Sequence, residues 1–572
     1  MPLAGHAAML LIVVVLAGAY VGSRSSFIPD EGALIIQARM LARGDGWIEH
    51  PRLLHDIDPS GTWYPLDLTG PAADGGFAPL AQHPVYSLTA AGLYRLGGVK
   101  AIVAFSILGG WAAALVAAAI AKRFDQRLTV PVLWIVGLAS PLFFDSFLAE
   151  GHSVGAALCG GAILAMISSC AGDDPRRRSH LGGAASGTIL RGAVTVGMCL
   201  FLAALFRNEA VIFGLSLTIV SLGYSIRMRR MSLAAFGFAA LAGPYLARRV
   251  EHMMQARILG RGAGRSISLV VTNQGQSLIG ARASGFFHTW LEPSHLPAPG
   301  GDILILGLFA VIPFVVMTAV NHRNDALVVA LAGGVMATAI SRLLVHPYVA
   351  VPGLLMAFPL LWAGAWVLRP RILGEAPLFC LLAVAIFFGG VVLSQPPVGG
   401  ALEWGGRYFA LGLPVLVPVV MVACIRAPWT VSRTSRAAIV ASAASVSLAF
   451  ALLAAISLHH EKSDNHRLVS EIERVSSAQG ANPVIVSVVP WLGRLSWSIY
   501  DKTQMLYVPP GDLGMAARRL RDAGVQRLTF VSFTNTDYAS FMTGWNRTST
   551  ENFTAKARYW TVDRLTAGAR EQ

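Results

Sequence analysis

The sequence predicts an all-α polytopic membrane protein that carries a small α/β domain at its C-terminal end. Three observations support this fold class. Of the 572 residues, 54% are hydrophobic and only 13% are charged, whereas a soluble protein has about 25% charged residues. Apolar runs of 17 or more residues recur along the chain, and each is long enough to cross about 30 Å of hydrocarbon as a helix. After about residue 460 charges become frequent and the apolar runs shorten.

The formal net charge of +14 would indicate nucleic-acid binding in a soluble protein. Here much of the arginine lies in short loops between apolar runs, so membrane topology accounts for the charge and no nucleic-acid partner is expected. Basic residues also suit binding of anionic lipid or phosphate. The five cysteines lie in or beside apolar segments without metal-ligand spacing, so we expect inert core thiols.

We predict thirteen membrane spans from the apolar runs. Their approximate residues are 7–23, 100–121, 128–148, 152–170, 188–206, 210–226, 231–247, 303–320, 325–342, 348–368, 374–393, 409–425 and 437–457. The gaps after the even-numbered spans are short and basic, and they all fall on one side if the spans alternate. By the positive-inside rule that side is cytoplasmic. Loops 24–99, 248–302 and about 395–408 and the tail after 458 are then predicted to lie outside.

The first outer loop, residues 24–99, carries two predicted helices. Residues 31–43 place several apolar side chains on one side, and residues 84–97 are amphipathic and aromatic. Both patterns suit helices that lie along the membrane interface. Residues 7–23 alternatively belong to a cleaved signal peptide, because Ala17-Gly18-Ala19 offers small residues. The loop is outside in either case.

The tail, residues 458–572, differs from residues 1–457, which we predict to form the transmembrane domain. Its predicted elements are a helix at 468–477, a buried strand at 483–489, an amphipathic helix at 513–523 and a second strand at 527–533. Alternating strands and helices predict a small extracytoplasmic α/β domain. No Gly-rich phosphate loop follows either strand, so nucleotide binding is not supported.

Polar residues gather at the predicted outer ends of successive spans, where acids and arginines are costly to desolvate and usually mark chemistry or ion handling. We therefore expect one shared extracytoplasmic cavity. The residues are Asp30, Glu31, His83, Tyr86, Asp145, Glu150, His152, Arg207, Glu209, Arg342, His346, Glu403, Trp404, Arg407 and Tyr408.

Structural interpretations of these residues stay open. Asp30 alternatively caps the helix at 31–43, since Asp is a good N-cap. Glu150 alternatively stabilises the start of the next span through the helix dipole. Arg207 and Glu209 alternatively form only an ion pair that seats a helix end. Arg407 alternatively snorkels to the interface, although an arginine after a Gly-rich stretch suits phosphate binding.

Together these motifs resemble the GT-C-fold glycosyltransferases that use polyprenyl-phosphate sugars. That group includes protein O-mannosyltransferases, aminoarabinose transferases of lipid A, and actinobacterial cell-envelope mannosyl- and arabinosyltransferases. The resemblance covers about residues 1–425. It rests on Pro29-Asp30-Glu31-Gly32, His83-Pro84 with Tyr86, Glu150-Gly151-His152, Arg207-Asn208-Glu209, and Trp404-Gly405-Gly406-Arg407-Tyr408. Many members have a proline within the string that corresponds to Arg207-Asn208-Glu209, and this chain lacks it.

The resemblance implies a role for each residue. Asp30 is the expected general base, with Glu31 as its neighbour and stand-in, and Glu150 is expected to orient acceptor or substrate. Basic residues of the late outer loops are expected to hold the lipid phosphate. These are Arg407 with Tyr408, and more weakly Arg342 and His346. The remaining expected substrate-binding residues are His83, Tyr86, His152, Arg207, Glu209, Glu403 and Trp404.

The resemblance also implies the partners, namely a polyprenyl-phosphate sugar donor, a glycan, lipid or protein acceptor, and membrane lipids. The expected location is a bacterial inner membrane, with the site and the tail extracytoplasmic. Asp30 and Glu31 alternatively bind a divalent cation, Mg²⁺ or Mn²⁺, although the other ligands cannot be counted from sequence. The rival interpretations are a membrane transporter or lipid flippase, which needs ionisable groups deep within spans or broken helices near the midplane, and a noncatalytic envelope scaffold.

Overall fold

The computed structural model describes residues 2–66, 72–80, 83–171, 182–229, 231–260, 278–291, 353–394, 404–427, 432–533, 537–555 and 558–568. In these residues the α-helices are, in chain order, α1 (Leu3–Val21), α2 (Pro29–Arg43), α3 (Arg52–Ile57), α4 (Pro84–Phe124), α5 (Thr129–Trp134), α6 (Leu142–Asp145), α7 (His152–Ala171), α8 (Gly182–Phe206), α9 (Glu209–Met228), α10 (Met231–Leu259), α11 (Leu278–Phe286), α12 (Leu354–Ala357), α13 (Leu360–Val367), α14 (Pro370–Leu373), α15 (Glu375–Ser394), α16 (Leu413–Arg426), α17 (Arg433–Ser477), α18 (Leu492–Leu495) and α19 (Leu513–Asp522). The strands are β1 (Val484–Ser487), β2 (Gln504–Tyr507), β3 (Arg527–Ser532), β4 (Trp545–Ala555) and β5 (Arg558–Ala567).

The chain forms two compact units. The first, called the helical unit, contains the described residues of Met1–Val21, Val103–Val250 and Ile267–Ser457. The second, called the sheet unit, contains the described residues of Gly22–Ile102, Glu251–Ser266 and Leu458–Gln572.

Eight helices in the described residues are long and apolar enough to cross a membrane. They are Leu3–Val21, Pro84–Phe124, His152–Cys170, Gly187–Phe206, Glu209–Met228, Glu375–Ser394, Arg407–Arg426 and Arg436–Ser477. Each overlaps a predicted span, but Pro84–Phe124 and Arg436–Ser477 extend well beyond the spans predicted at 100–121 and 437–457. The predicted spans 303–320 and 325–342 lie outside the described residues, so the total of thirteen stays a prediction.

Two predicted spans are interrupted. The span predicted at 128–148 consists of α5, a π-helical turn and α6, and the described part of the span at 348–368 consists of α12 and α13. Ser140 is extended (φ −98°, ψ 162°), and Phe358 also leaves helical values (φ −131°, ψ 72°). A proline follows each of them, and its ring clashes with a helical conformation of the preceding residue. The apolar run therefore continues where the helix does not.

Helix α2 begins with Pro29, whose fixed φ suits a first helical turn. It ends at Gly44, which adopts the left-handed conformation (φ 91°) that favours glycine. The predicted helix at 31–43 is thus confirmed, but its predicted environment is corrected. All ten residues from Glu31 to Met40 are buried, so protein surrounds α2 where the sequence predicted one apolar face.

Helix α4 contains a kink at Gly97 and Gly98, where the backbone leaves helical values. Gly98 has φ 63°, which a residue with a side chain rarely adopts. The helix predicted at 84–97 and the span predicted at 100–121 are therefore the two arms of one kinked helix.

The sheet unit is built on a five-stranded sheet in the order β2-β1-β3-β5-β4. Strands β2, β1 and β3 are parallel, whereas β5 runs antiparallel to both β3 and β4. Strands β1 and β3 and helix α19 match the sequence predictions for the tail. The predicted helix at 468–477 is the last part of α17, which begins at Arg433. Strands β2, β4 and β5 were not predicted.

The hydrophobic core of the sheet unit takes residues from both loop 24–99 and the tail. Ile36, Trp63 and Phe77 from the loop share one buried cluster with Phe530 and Trp560 from the sheet. Burial of apolar surface is the main favourable contribution to folding. Loop 24–99 and the tail are therefore stabilised by the same core.

Candidate functional site

The helical unit contains a cluster of buried ionisable side chains. Glu150 lies in the turn before α7, His152 begins α7, Arg207 lies between α8 and α9, and Glu209 begins α9. Arg407 begins a short 3-10 helix, Arg407–Gly412, that precedes α16. The five side chains are at most 14% exposed. The structure therefore brings together five of the residues that the sequence predicted at outer helix ends.

Two glycines bring Arg407 to this cluster. Gly405 and Gly406 both adopt left-handed conformations, with φ 68° and 61°. A Cβ atom on Gly405 would lie 2.4 Å from Pro141, and one on Gly406 would lie 2.7 Å from the carbonyl oxygen of Thr289. Both positions therefore require glycine.

Arg207 connects the two glutamates. Its Nε and Nη2 atoms donate to the two carboxylate oxygens of Glu209 at 3.1 and 3.0 Å, and its Nη1 donates to Oε2 of Glu150 at 3.2 Å. The Nε2 atom of His152 lies 2.7 Å from the same Oε2, and Nη1 of Arg407 lies 3.7 Å from Oε1. Glu150 thus contacts three nitrogen-bearing side chains. Arg207 and Glu209 form an ion pair, and Arg207 pairs with Glu150 as well.

Electrostatics keeps the centre of the cluster charged. Burial would raise the pKa of Glu150, but the charge of Arg407, the contact with His152 and the charge of Arg207 outweigh burial and lower this pKa. Burial would lower the pKa of Arg207, but the carboxylates of Glu209 and Glu150 outweigh it and raise this pKa. With two arginines and two glutamates charged, the four side chains have no net charge. A neutral, hydrogen-bonded arrangement is what a buried set of ions requires.

A further carboxyl group, that of Asp145, lies close to this cluster at the end of α6. Glu150, Arg407 and Arg207 lie close enough to Asp145 to interact with it electrostatically. Its side chain is fully buried, and neither oxygen has a hydrogen-bond partner among the described residues. Buried polar groups are normally paired, so Asp145 retains hydrogen-bonding capacity for a bound molecule.

Arg407 also contacts the residue that follows it. Its Nη2 atom donates to the hydroxyl oxygen of Tyr408 at 3.2 Å, and its guanidinium lies 4.9 Å from the centre of the Tyr408 ring. This is the range of a cation–π interaction. Trp404 is only 2% exposed and stacks on Phe144, with ring centres 6.4 Å apart. Trp404 is therefore packed in the interior of the helical unit.

The sheet unit contains Asp30 and Glu31, in the first turn of α2. Ile28 is the N-cap, so the interpretation of Asp30 as the cap is wrong. The carboxylate of Glu31 is buried and accepts hydrogen bonds from the backbone N–H groups of Phe27 and Ile28 at 2.6 and 3.3 Å. Glu31 therefore stabilises the start of the helix, where a negative charge is also favourable.

Asp30 has a different environment from that of Glu31. Its side chain is 51% exposed, and Oδ1 accepts a hydrogen bond from Nη1 of Arg494 at 2.9 Å. One carboxylate thus faces solvent beside an arginine, and the other is turned back onto the backbone. This pair does not fit a divalent-cation site. Among the described residues no group of three or more His, Cys, Asp or Glu side chains is arranged to hold a metal ion.

His83, also in the sheet unit, has an unusual backbone. Its φ is 48°, which is uncommon for a residue other than glycine. Its backbone N–H donates to Oε1 of Glu251 at 3.1 Å, and its Nδ1 atom lies 3.0 Å from the same oxygen. Tyr86 is buried in the first turn of α4. Glu251 is 3% exposed and was not singled out in the sequence.

Three predicted site residues, Arg342, His346 and Glu403, lie outside the described residues. Two residues that contact predicted ones, Arg494 and Glu251, were missed. Glu251 is one charge in an arginine-containing stretch at 248–257, and Arg494 lies 464 residues from Asp30. Neither has a local sequence signal that could have found it.

No protein-family model matches the chain, and no curated protein matches it. Among solved structures, the chain is similar to that of ArnT from Cupriavidus metallidurans bound to undecaprenyl phosphate. The identity is 14% and the TM-score 0.50, over 98% of this chain and 98% of that one. An apo Archaeoglobus fulgidus oligosaccharyltransferase matches with 11% identity and a TM-score of 0.48, over 94% of this chain and 71% of that one. The archaeal oligosaccharyltransferase AglB from Archaeoglobus fulgidus, in complex with an inhibitory peptide and a dolichol-phosphate, matches with 13% identity and a TM-score of 0.48, over 92% and 69% of the two chains. The likeness to ArnT confirms the predicted fold class: the chain has the GT-C fold.

Proposed function

We propose that this protein is an integral-membrane glycosyltransferase that moves a sugar from a polyprenyl-phosphate donor to an extracytoplasmic acceptor. The observation that carries the proposal is the end-to-end likeness to a structure bound to undecaprenyl phosphate, which covers 98% of both chains. The buried cluster around Glu150 and the half-exposed Asp30 supply side chains suited to this chemistry. The proposed location is a bacterial inner membrane, with the site on the outer face.

In the proposed reaction Asp30 is the general base. Its carboxylate takes the proton of an acceptor hydroxyl, and the acceptor oxygen forms a bond to C1 of the sugar. The bond between C1 and the phosphate oxygen breaks, and its electron pair leaves with the lipid phosphate. A single displacement of this kind inverts the anomeric carbon. A base that is half exposed suits this step, because general-base catalysis needs contact with the reacting hydroxyl.

Arg407 is the proposed partner of the departing phosphate, with Tyr408 beside it. Its contact with Glu150, at 3.7 Å, is the longest in the cluster. The guanidinium can exchange this distant carboxylate partner for a phosphate oxygen, with which it forms strong charge-assisted hydrogen bonds. Charge that develops on the leaving group is then neutralised where it appears. Arg342 and His346 stay predicted as weaker phosphate ligands.

The other residues are proposed to shape the site. Glu150 contacts Arg207 and Arg407, and its proposed role is to orient the acceptor or substrate. The proposed substrate contacts are His83, Tyr86, His152, Arg207, Glu209, Glu403 and Trp404. Glu31, although expected as a stand-in base, is assigned a supporting role because its carboxylate already accepts two backbone N–H groups.

The test is transfer of radiolabelled sugar by the purified full-length protein in detergent. Mannose, arabinose, glucose and galactose on polyprenyl phosphate form the donor panel, and cell-envelope glycan, lipid and peptide fractions are the acceptors. Asp30→Asn, which keeps the shape of the side chain, should fold normally and lose about 10²–10⁴ in kcat. Full activity of that variant would remove Asp30 from the mechanism. Movement of intact donor across vesicles without transfer would instead favour the flippase.

A further inference from the structure

In the sheet unit, the side chain of Asp30 is held by an arginine from the tail. Arg494, in the short helix α18, donates from Nη1 to Oδ1 of Asp30 at 2.9 Å. No second hydrogen bond to Asp30 is present among the residues that the structure describes. The contact therefore fixes one carboxylate oxygen and leaves the other able to take a proton.

A glycine permits this contact. The backbone of Arg494 lies directly against Gly32, where an added Cβ atom would be 1.8 Å from the Arg494 carbonyl oxygen and 2.8 Å from its carbonyl carbon. Real Cβ atoms do not come this close to backbone. The glycine of the Pro-Asp-Glu-Gly sequence thus has a specific role, which is to let α18 approach the first turn of α2.

The backbone that leads into α2 is held by the tail as well. The side-chain amide of Asn465, in α17, donates to the carbonyl oxygens of Ser26 and Phe27 at 2.8 and 3.2 Å. The backbone N–H of Phe27 in turn donates a hydrogen bond to the carboxylate of Glu31 at 2.6 Å. The start of α2 is therefore fixed in place, so the position of Asp30 depends on rotation of its own side chain.

We propose that Arg494 is a positioning residue for Asp30, contributed to the transfer site by the C-terminal tail. This inference rests on the proposed function, in which Asp30 is the general base. A half-exposed aspartate has several side-chain rotamers, and only some of them aim an oxygen at the acceptor. The charge-assisted hydrogen bond from Arg494 selects one rotamer through Oδ1, and Oδ2 then receives the proton.

The test compares four full-length proteins in the transfer assay: the wild type, Arg494→Gln, Asp30→Asn, and the variant that carries both substitutions. Since a misplacement of about 1 Å costs about 10²-fold in rate, Arg494→Gln should lower kcat about 10- to 100-fold with the donor KM changed less than twofold. In the Asp30→Asn background the same substitution should change kcat less than twofold, because no base is left to position. Arg494→Lys, which retains a cation, should recover at least fivefold in kcat over Arg494→Gln.

Arg43→Gln is the matched control. Arg43 is also on α2 and also pairs with the tail, through Asp501 at 2.6 Å, but it does not touch Asp30. Because Asp501 keeps its 2.6 Å contact with Arg39, Arg43→Gln should leave kcat within twofold of the wild type. Melting temperatures of the variants are measured in parallel, so that loss of folding is recognised.

The outcomes separate this inference from the proposed function. If Asp30→Asn loses activity but Arg494→Gln does not, the inference is wrong and the proposed base stands. An equal loss from Arg494→Gln in both backgrounds, or no recovery in Arg494→Lys, would also overturn it, because a purely structural role does not depend on Asp30. Full activity of Asp30→Asn alone would overturn the proposed base itself.

Discussion

Replacement of Glu150 by glutamine tests whether the buried cluster of the helical unit depends on charge balance. In the wild type, Glu150 and Glu209 offset Arg207 and Arg407, and the most exposed of these four side chains is 14% exposed. Glutamine has nearly the same shape but no charge, so the cluster is left with one uncompensated positive charge. Removing one partner of a buried ion pair costs about 3–5 kcal/mol.

This cost is large for a folded protein. Stabilities are typically about 5–15 kcal/mol, so Glu150→Gln should remove a substantial fraction of the free energy of unfolding. At about 2 °C per kcal/mol, the lower end of the range for larger domains, the unfolding midpoint should fall by about 6–10 °C. The contact of Glu150 with His152 at 2.7 Å adds to this loss.

The five cysteines give a specific assay for this unit. All of them lie in the helical unit, Cys159, Cys380 and Cys424 are buried, and none forms a disulfide. A dye that becomes fluorescent on reaction with thiols therefore reports unfolding of the helical unit in detergent. Glu473→Gln is the control, because its 3.0 Å pair with Lys502 is exposed and such pairs contribute about 0–1 kcal/mol. If both variants melt at the same temperature, the argument from charge balance is refuted.

Three further predictions concern other contacts. Arg407→Ala should raise the donor KM by more than tenfold, and it should also lower the thiol-dye midpoint about as much as Glu150→Gln does, because it leaves one uncompensated negative charge in the buried cluster; unchanged donor kinetics would contradict its proposed role. Gly32→Ala should lower kcat as Arg494→Gln does, since the new Cβ displaces the Arg494 backbone. Normal activity would show that the close approach of Arg494 to Gly32 is dispensable. Burial raises the pKa of Glu49, which accepts hydrogen bonds from Tyr64 and, at 2.7 Å, from Tyr500, so the folded sheet unit takes up this proton more readily than the unfolded chain. The resulting stability is present below the ordinary pKa of 4.5 and is lost as pH rises through the raised value. Unfolding followed by tryptophan fluorescence should show a free energy of unfolding that falls as pH rises in the wild type, and that falls less steeply in Glu49→Gln.

The helices that the sequence predicted best are those in which a long apolar run decides the structure. Span length and apolarity are local properties, so α1, α7, α9 and α15 could be located within a few residues. The run at 128–148 is equally apolar, but the proline after Ser140 interrupts the helix, and apolarity alone does not register that break. The run is therefore a good guide to membrane segments and a weaker guide to helix continuity.

The strands of the tail show the same limit. Strands β1 and β3 are short apolar runs and were predicted, since buried parallel strands are hydrophobic on both faces. Strand β4 is largely exposed along its middle and reads as a polar segment between Trp545 and Ala555. Its pairing with β5 is decided by the partner strand, which a hydrophobicity pattern does not reveal.

For the candidate site, the sequence predicted that charged residues gather at helix ends, but it did not predict which of them pair with each other. Alternation of spans placed Glu150, Arg207 and Arg407 at the same predicted face, and the structure brings them together. The alternation of spans gave no information on which carboxylate each arginine contacts. The pairing of Asp30 with Arg494 joins residues 464 positions apart, and such a contact follows only from the tertiary fold.

The burial of α2 explains why the structure of loop 24–99 depends on the tail. An isolated helix of 15 residues is marginal in water, and α2 buries all residues from Glu31 to Met40. Ile36 and Met40 belong to the same core as the tail residues Leu468 and Val486, so residues more than 400 positions later contribute to the core that stabilises α2. A tail that was only an added binding module would leave the loop to fold by itself. Here the tail supplies the core beneath α2, the amide that holds its entrance and the guanidinium on Asp30, so the proposed base has a defined position only when the chain is complete through the sheet.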